Sequence, residues 1–501
     1  MAFLLPFMLS PVAVSWMIGK SMFETRFGPA ATLARKLGWD TPAFFTDPWI
    51  ARLSIMSMDW WVWIPFMMIL LLAGLQALPH EILESARVDG ATGWKSFWQM
   101  TFPLLLPVSV TAVVLRIIFE LKLADIIITV TSGAPGGATD SVTSFIYREY
   151  RDRSNVGYGT ALAEFYLVVI IIFMTALLWL TNKWMRRFTW RNGRARVATA
   201  KPVPYFRQSG RNWRRILTRV LTYAILLFWA AVSLFPIYWT ITTSFKVAVD
   251  VTQGHLVPWL QYQPDWKGWR SLGLSPDTIR EFSTTRAEFL KRFRNSLYIA
   301  LGAASLAVII GSLAAYGLTR FNYKFGPFRN KDISFWFLSQ LILPPVALAL
   351  PFLVLYKELA LLDSRTGLIL VYTLMVLPIV IWIMRDQFQT IPLELEQAAM
   401  VDGSTVWGAF MRIVLPIALP GMVAAFILSV ILCWNEYFFA ALLTSTKATT
   451  LPVMVASQTG SQGINWWTMA AISSAAILPL VVIGIVLERW IVKGLTSGAV
   501  K

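Results

Sequence analysis

Apolar runs about twenty residues long recur along this chain, and they settle its fold class. A hydrocarbon slab roughly 30 Å thick needs about 20 apolar residues of helix to cross it. Runs of that kind lie at roughly 3–23, 52–78, 104–129, 158–184, 216–243, 295–319, 333–356, 366–385, 418–442 and 469–491. A closed barrel also satisfies the backbone inside a bilayer, but it needs short alternating strands, and the sequence has none. Over 501 residues the hydrophobic share is 56% and mean hydropathy is +0.60, too apolar for a soluble chain of this length. The chain reads as an all-α polytopic membrane protein with about ten transmembrane helices.

Composition removes several function classes. The single cysteine, Cys433, lies in an apolar run, so no intramolecular disulfide can form. With only His80 and His255 available, a Cys/His metal site or a Ser-His-Asp triad has almost nothing to draw on. No metal site, catalytic residue or cofactor is expected in this chain. Ile18-Gly19-Lys20-Ser21 echoes the end of a phosphate loop, but Val14 stands where the earlier glycine is required. The chain is therefore not expected to hydrolyse ATP itself.

Net charge is +17. From Lys183 to Arg219 there are twelve Lys or Arg and no Asp or Glu. A basic stretch between two spans is read as a cytoplasmic loop under the positive-inside rule, against anionic lipid headgroups rather than nucleic acid. With Gly193, Pro202, Pro204 and Gly210 and no apolar period, residues 185–215 read as a tether between a first domain, 1–184, and a second, 216–501. Ten spans put both termini in the cytoplasm. Residues 320–331, with four basic residues, also fall inside; the outer loop 245–294, with eight basic residues against five acids, is long enough to escape the rule. Residues 3–18 lack a small-residue cleavage site and read as a span, not a leader.

The chain also repeats itself. Residues 79–107 read PHEILESARVDGATGWKSFWQMTFPLLLP, and 392–420 read PLELEQAAMVDGSTVWGAFMRIVLPIALP. Gly90 and Gly403 are 313 residues apart, and the same offset pairs Pro65 with Pro378, Pro79 with Pro392, Asp89 with Asp402, Trp94 with Trp407, Pro103 with Pro416 and Pro107 with Pro420. Each copy predicts a short helix ended by glycine, then a second short helix with an aromatic pair, Trp94 with Phe97 and Trp407 with Phe410. Ile82, Leu83, Ala86 and Val88, and then Leu393, Leu395, Ala399 and Val401, supply the apolar positions that pack inward. Ala86 and Ala399 are small, as close packing against a partner requires. The first span is set opposite the third span of the second half, with Leu5-Pro6 answering Leu343-Pro344. The first half is thus shorter by about two helices.

The two copies resemble the EAA loop of ABC importer permeases, E-A-A-x-x-D-G followed thirteen residues after the glycine by proline. Gly133-Ala134-Pro135-Gly136-Gly137-Ala138-Thr139, Tyr147 and Gly157-Tyr158-Gly159-Thr160-Ala161-Leu162-Ala163 are similar to the first permease of carbohydrate-uptake importers of the maltose, glycerol-phosphate and polyol type. Trp434-Asn435-Glu436-Tyr437-Phe438, Thr450-Leu451-Pro452-Val453 and the tail 494–501 are similar to the second. The resemblance implies two type-I ABC importer transmembrane domains in tandem, fused where the family usually has two chains. It implies a bacterial inner-membrane importer for a small carbohydrate-like solute, delivered by a periplasmic or extracellular solute-binding protein. Two separate ATPase subunits would carry ATP and Mg. Glu84, Ala86, Asp89, Gly90, Gln397, Ala399, Asp402 and Gly403 would form the coupling helices that those ATPases grip. Gln397 departs from the acidic position that Glu84 keeps, and Ser85 from alanine; Glu394 and Glu396 are the acids left to the second copy. The alternative reading is an ion-coupled secondary transporter built from parallel repeats.

A charge inside a span costs about 2.5–3.5 kcal/mol at its centre and points to function. Run 104–129 carries Arg116, Glu120, Lys122 and Asp125; the first two are four apart and predict a pair on one face. The offset places Asn435 opposite Lys122 and Glu436 beside it. Arg116, Glu120, Lys122 and Asp125 with Trp434, Asn435, Glu436 and Tyr437 are the expected solute path, charged and amide groups for hydroxyls and aromatic faces for a sugar's apolar side; the competing reading of the charges is helix–helix ion pairing or snorkelling near the outer interface.

Overall fold

The computed structural model describes residues 3–76, 78, 82, 84–86, 91, 93–192, 212–457 and 466–497. Eight helices among them are long and apolar enough to cross a membrane: Pro48–Gln76, Gly93–Glu120, Val156–Met185, Ile216–Thr243, Thr284–Arg320, Arg365–Gln389, Val406–Asn435 and Trp466–Gly484. A ninth candidate is the pair Asn330–Ile342 and Pro345–Glu358, bent by 93°. The bend lies at Leu343-Pro344-Pro345, where Leu343 and Pro344 are extended, because a proline lacks the N–H a helix needs and pushes its predecessor out of the helical region.

The bent pair does carry the chain across. Arg320 Nη2 donates to Ile391 O at 3.0 Å, so the ends of Thr284–Arg320 and Arg365–Gln389 lie together. Arg365 Nε donates to Asn295 Oδ1 at 2.8 Å, which joins their starts. The two helices run in the same direction, and the chain between them must return through the membrane.

Against the ten expected spans, the described residues hold eight spanning helices, or nine with the bent pair counted as one crossing. The run 3–23 is not one helix. Leu5–Met8 and Pro11–Val14 are separated by an extended Ser10, and Ser15–Met22 continues as a wide π-helical turn. The equivalence drawn at Leu5-Pro6 is also out of register: the extended break at Leu9-Ser10-Pro11-Val12-Ala13 answers Leu343-Pro344-Pro345-Val346-Ala347. The runs 104–129 and 418–442 each stop short and restart. Helix ends at Glu120 and resumes as Asp125–Val130; helix ends at Asn435 and resumes as Phe438–Leu443. The restarts Asp125 and Phe438 are again 313 apart. At the first break, the freed carbonyl of Leu121 accepts from Thr143 Oγ1 at 3.1 Å and Tyr166 Oη at 2.6 Å.

The second half packs tightly. Ala300, Ala303, Ala304 and Ala307 of Thr284–Arg320 are fully buried, and a methyl added at Gly311 would lie 2.6 Å from Val380 Cγ1. Without water to drive helices together, such small residues let dispersion do it. The lipid-facing side of Val156–Met185 instead exposes Phe165, Val168, Ile171 and Ile172. The span after the tether reaches back to the first half: Trp239 Nε1 donates to Ser21 Oγ at 2.7 Å, and Trp61 Nε1 donates to Val232 O at 3.0 Å. Helix extends to Asn192 and restarts at Asn212, so the expected tether is helical at both ends; residues 193–211 lie outside the described residues.

Candidate functional site

In the second repeat, Pro392 ends the preceding span and Leu393–Val401 forms a helix. Gly403 takes φ +90°, a conformation open to glycine and strained for other residues. Ser404 N donates to Ala399 O at 2.9 Å and closes the turn. Thr405 Oγ1 then accepts from Gly408 N at 3.1 Å and caps the next helix, Val406–Ala409. The turn is fastened to the span beside it. Glu396, 3% exposed, accepts from Arg320 Nε at 2.6 Å and from Tyr316 Oη at 2.7 Å, while Phe410 packs 4.4 Å from the Tyr316 ring.

What remains outside is apolar. Val401 is 88% exposed, Trp407 60%, and Leu393, Leu395 and Met400 are exposed as well. The expectation that Leu393, Leu395 and Val401 pack inward is therefore corrected: the bonds of Arg320 and Tyr316 to Glu396 turn the helix so that Glu396 and Ala399 face the protein and the leucines face out. Ala399 is buried, and so is Ala86, so the small residues serve close packing within the chain, not against a partner. Gln397, Asp402 and Gly403 are exposed.

The first repeat keeps the closing bond. Ala91 N donates to Ala86 O at 3.0 Å, the counterpart of the Ser404–Ala399 bond. Glu84 is exposed, as Gln397 is; Asp89, Gly90 and the neighbouring Val88 lie outside the described residues. Trp94, 74% exposed, stands against Trp98 with ring centres 5.8 Å apart.

Between the halves lie two neighbouring cavities of about 570 and 320 Å³, which share Phe7, Trp63, Phe119, Leu341, Ile379 and Leu432 as walls. The smaller reaches Ala73 and Pro107 of one half and Asp386 and Gln387 of the other, so both repeats lie at its end of the molecule. The larger sits at the two helix breaks and is lined by Lys122, Asp125, Asn435, Glu436 and Tyr437. Two reciprocal bonds cross it. Lys122 Nζ of the first half donates to Leu341 O, just before the proline break of the second. Its repeat counterpart Asn435 donates through Nδ2 to Met8 O, just before the proline break of the first, at 2.9 Å.

Residues 1–187, and again 307–497, match the family described as the binding-protein-dependent transport system inner membrane component. The chain belongs to this family. Among curated members it is similar to the trehalose transport system permease protein SugB of Mycobacterium tuberculosis, with 32% identity over 292 residues, 58% of this chain and 97% of that protein. It is similar to the inner membrane ABC transporter permease protein YcjP of Escherichia coli, with 30% identity over 58% of this chain and 98% of that protein. The sulfoquinovosyl glycerol transport system permease protein SmoH of Agrobacterium fabrum is 31% identical over 54% of this chain and 89% of that protein. A solved bacterial ABC transporter involved in alginate import aligns with 20% identity and a TM-score of 0.45, covering 56% of this chain and 98% of that one.

In this permease the eight residues expected along a solute path do not all meet. Arg116 and Glu120 pair as their spacing predicts, but they line neither cavity. Arg116 also pairs with Asp59, 2% exposed, and lies 4.8 Å over the Trp63 ring. Asp59 was missed in sequence, although an acid inside run 52–78 was signal enough. Trp434 is buried against Phe293, 5.7 Å between ring centres, and offers the larger cavity no face. Tyr437 does line it, with its hydroxyl accepting from Arg151 Nη1 at 3.2 Å. Arg151 also donates to Tyr147 Oη at 2.6 Å within its own half; its bond to Tyr437 is the link across the halves that no sequence spacing announces.

Proposed function

We propose that this permease forms the translocation path of an ATP-driven importer for a sugar, polyol or sugar derivative, with the solute passing through the two cavities between the halves. Residues 1–184 act as a first transmembrane domain, 185–215 as a cytoplasmic tether and 216–501 as a second transmembrane domain; the six crossings after the tether return the C-terminus to the cytoplasm, while the three long helices before it set residues 23–47 on the opposite face. Two separate ATPase subunits, which carry ATP and Mg, dock on the repeats at 79–107 and 392–420, and a solute-binding protein delivers to the opposite face. Glu84, Asp89, Gly90, Gln397, Asp402 and Gly403 belong to the docking helices, with Ala86 and Ala399 seating those helices on the spans behind them.

The observation that carries this reading is the repeated turn. Ala91–Ala86 and Ser404–Ala399 close it alike in both halves, and the second copy leaves Leu393, Leu395, Val401 and Trp407 uncovered beside a buried anchor, Glu396. Exposed apolar residues on a rigid, fastened support suit a partner that pushes. Because Arg320 and Tyr316 hold Glu396, movement of the turn passes directly into helix Thr284–Arg320. The reading is tested by purifying the tagged chain with candidate ATPases and binding proteins and measuring solute uptake into proteoliposomes. ATP-dependent uptake that needs both partners is expected; uptake driven by an ion gradient without ATP overturns it.

A further inference from the structure

The larger cavity presents hydrogen-bond acceptors that the protein leaves largely free, and donors that it has partly engaged. Asp125 and Glu436 both line it. No ion pair among the described residues includes Asp125, Glu436 or Lys122, although all three share the same walls. The Asp125 carboxylate has no hydrogen-bond partner among the described residues. Glu436 accepts from backbone Phe439 N at 2.8 Å and Ala440 N at 3.2 Å and meets the Tyr372 hydroxyl, which still leaves it a lone pair to spare. Asn435 Oδ1 is buried with no partner among the described residues.

The donors are partly engaged. Lys122 Nζ is held by Leu341 O and Asn435 Nδ2 by Met8 O, while Thr143 Oγ1 donates to Leu121 O. An ionised carboxylate can only accept, so a solute resting here must bring donors. A solute with its own negative charge meets two carboxylates against one ammonium. Phe7, Trp63, Phe119 and Phe352 supply apolar walls for the C–H face of a ring.

Resting on the reading of this cavity as the solute path, we propose that it selects an uncharged, polyhydroxylated solute and rejects acidic sugars such as phosphates, sulfonates and uronates. Asp125 and Glu436 are its specificity-determining residues. They accept hydrogen bonds from the solute's hydroxyls, and rejection of anions, an element built against the wrong ligand, comes from the same two groups.

The test uses the full chain in nanodiscs and saturation-transfer-difference NMR with two probes, trehalose and a galacturonic acid dimer. The native chain is expected to give a saturable signal with trehalose at least tenfold stronger than with the acidic dimer. The isosteric double variant Asp125→Asn/Glu436→Gln should raise the acidic signal about tenfold, while Arg292→Gln, remote from the cavity, leaves both unchanged. A native chain that takes the dimer as well as trehalose, or a double variant whose preference does not move, overturns the charge argument and leaves the path in place. If trehalose gives no signal, or one indifferent to both the double variant and Lys122→Met, the cavity is not the path, and both readings fall.

Discussion

Replacing Arg320 with alanine probes how the second repeat is fastened to the membrane domain. Arg320 Nε donates to Glu396 Oε1 at 2.6 Å, and its Nη2 donates to Ile391 O at 3.0 Å. The two side chains are 10% and 4% exposed. Removing one member of a buried pair costs about 3–5 kcal/mol, because the other charge stays behind unpaired. Tyr316 remains on Glu396 as a donor, so the low end applies, about 3 kcal/mol, or roughly 100-fold in a local opening constant. Hydrogen exchange of residues 391–404 in nanodiscs should therefore accelerate about 100-fold in Arg320→Ala, while residues 365–385 keep their protection. The double variant Arg320→Met/Glu396→Met should recover most of it, since a packed apolar pair replaces a buried ionic one at little cost. Unchanged exchange in the single variant, or a double variant worse than the single, refutes this account of the anchor.

Gly403→Val should leave the chain inserted but cut ATP-driven uptake several-fold: an added methyl meets no atom within 4 Å, so the whole penalty, about 1–3 kcal/mol, comes from φ +90°. Gly403→Asn should be milder, because asparagine tolerates that region, and equal uptake by the two variants contradicts the argument. Asp363 lies in the loop between Ala349–Glu358 and Arg365–Gln389. Burial disfavours its charged form, but backbone N–H groups of Ala448, Lys447, Ser445 and Thr446 outweigh this and hold its carboxyl below the usual range. A depressed carboxyl stabilises the fold at neutral pH and loses that contribution as pH falls below about 4 toward the folded value. Thermal unfolding of Asp363→Asn should accordingly show a deficit at pH 7 that narrows at pH 3, and a deficit that widens in acid has the wrong sign. Arg116→Met should lower the unfolding temperature by leaving Asp59 unpaired, at a cost of about 3–5 kcal/mol; adding Asp59→Leu should restore most of it. A single variant as stable as the native chain counts against that pair.

The spans and the two repeats were legible because their signals are local. Apolar length marks a crossing, and one offset ties Gly90 to Gly403. Breaks were harder to see. Pro344-Pro345 and Pro11 sit in runs whose hydropathy never falls, so a window reads through the point where backbone chemistry forces the chain out of helix. Nor does composition reveal which way a short helix is turned. Leu393, Leu395 and Ala399 were all read as inward, yet only Ala399 is, because burying Glu396 against Arg320 and Tyr316 fixes the rotation. Contacts across the halves, Arg151 to Tyr437 and Lys122 to Leu341, depend on tertiary placement alone. Their endpoints stood out as charges in apolar surroundings only where they fell inside a run.

The helix that follows the tether rests on Ser21 and Trp61 of the half that precedes it. Severing the backbone anywhere between residues 193 and 211 would then yield two polypeptides that stay together in detergent. Covalent joining guarantees equal copy number and correct pairing at birth; the grip between the lobes is supplied by indole nitrogens and greasy surfaces within the bilayer.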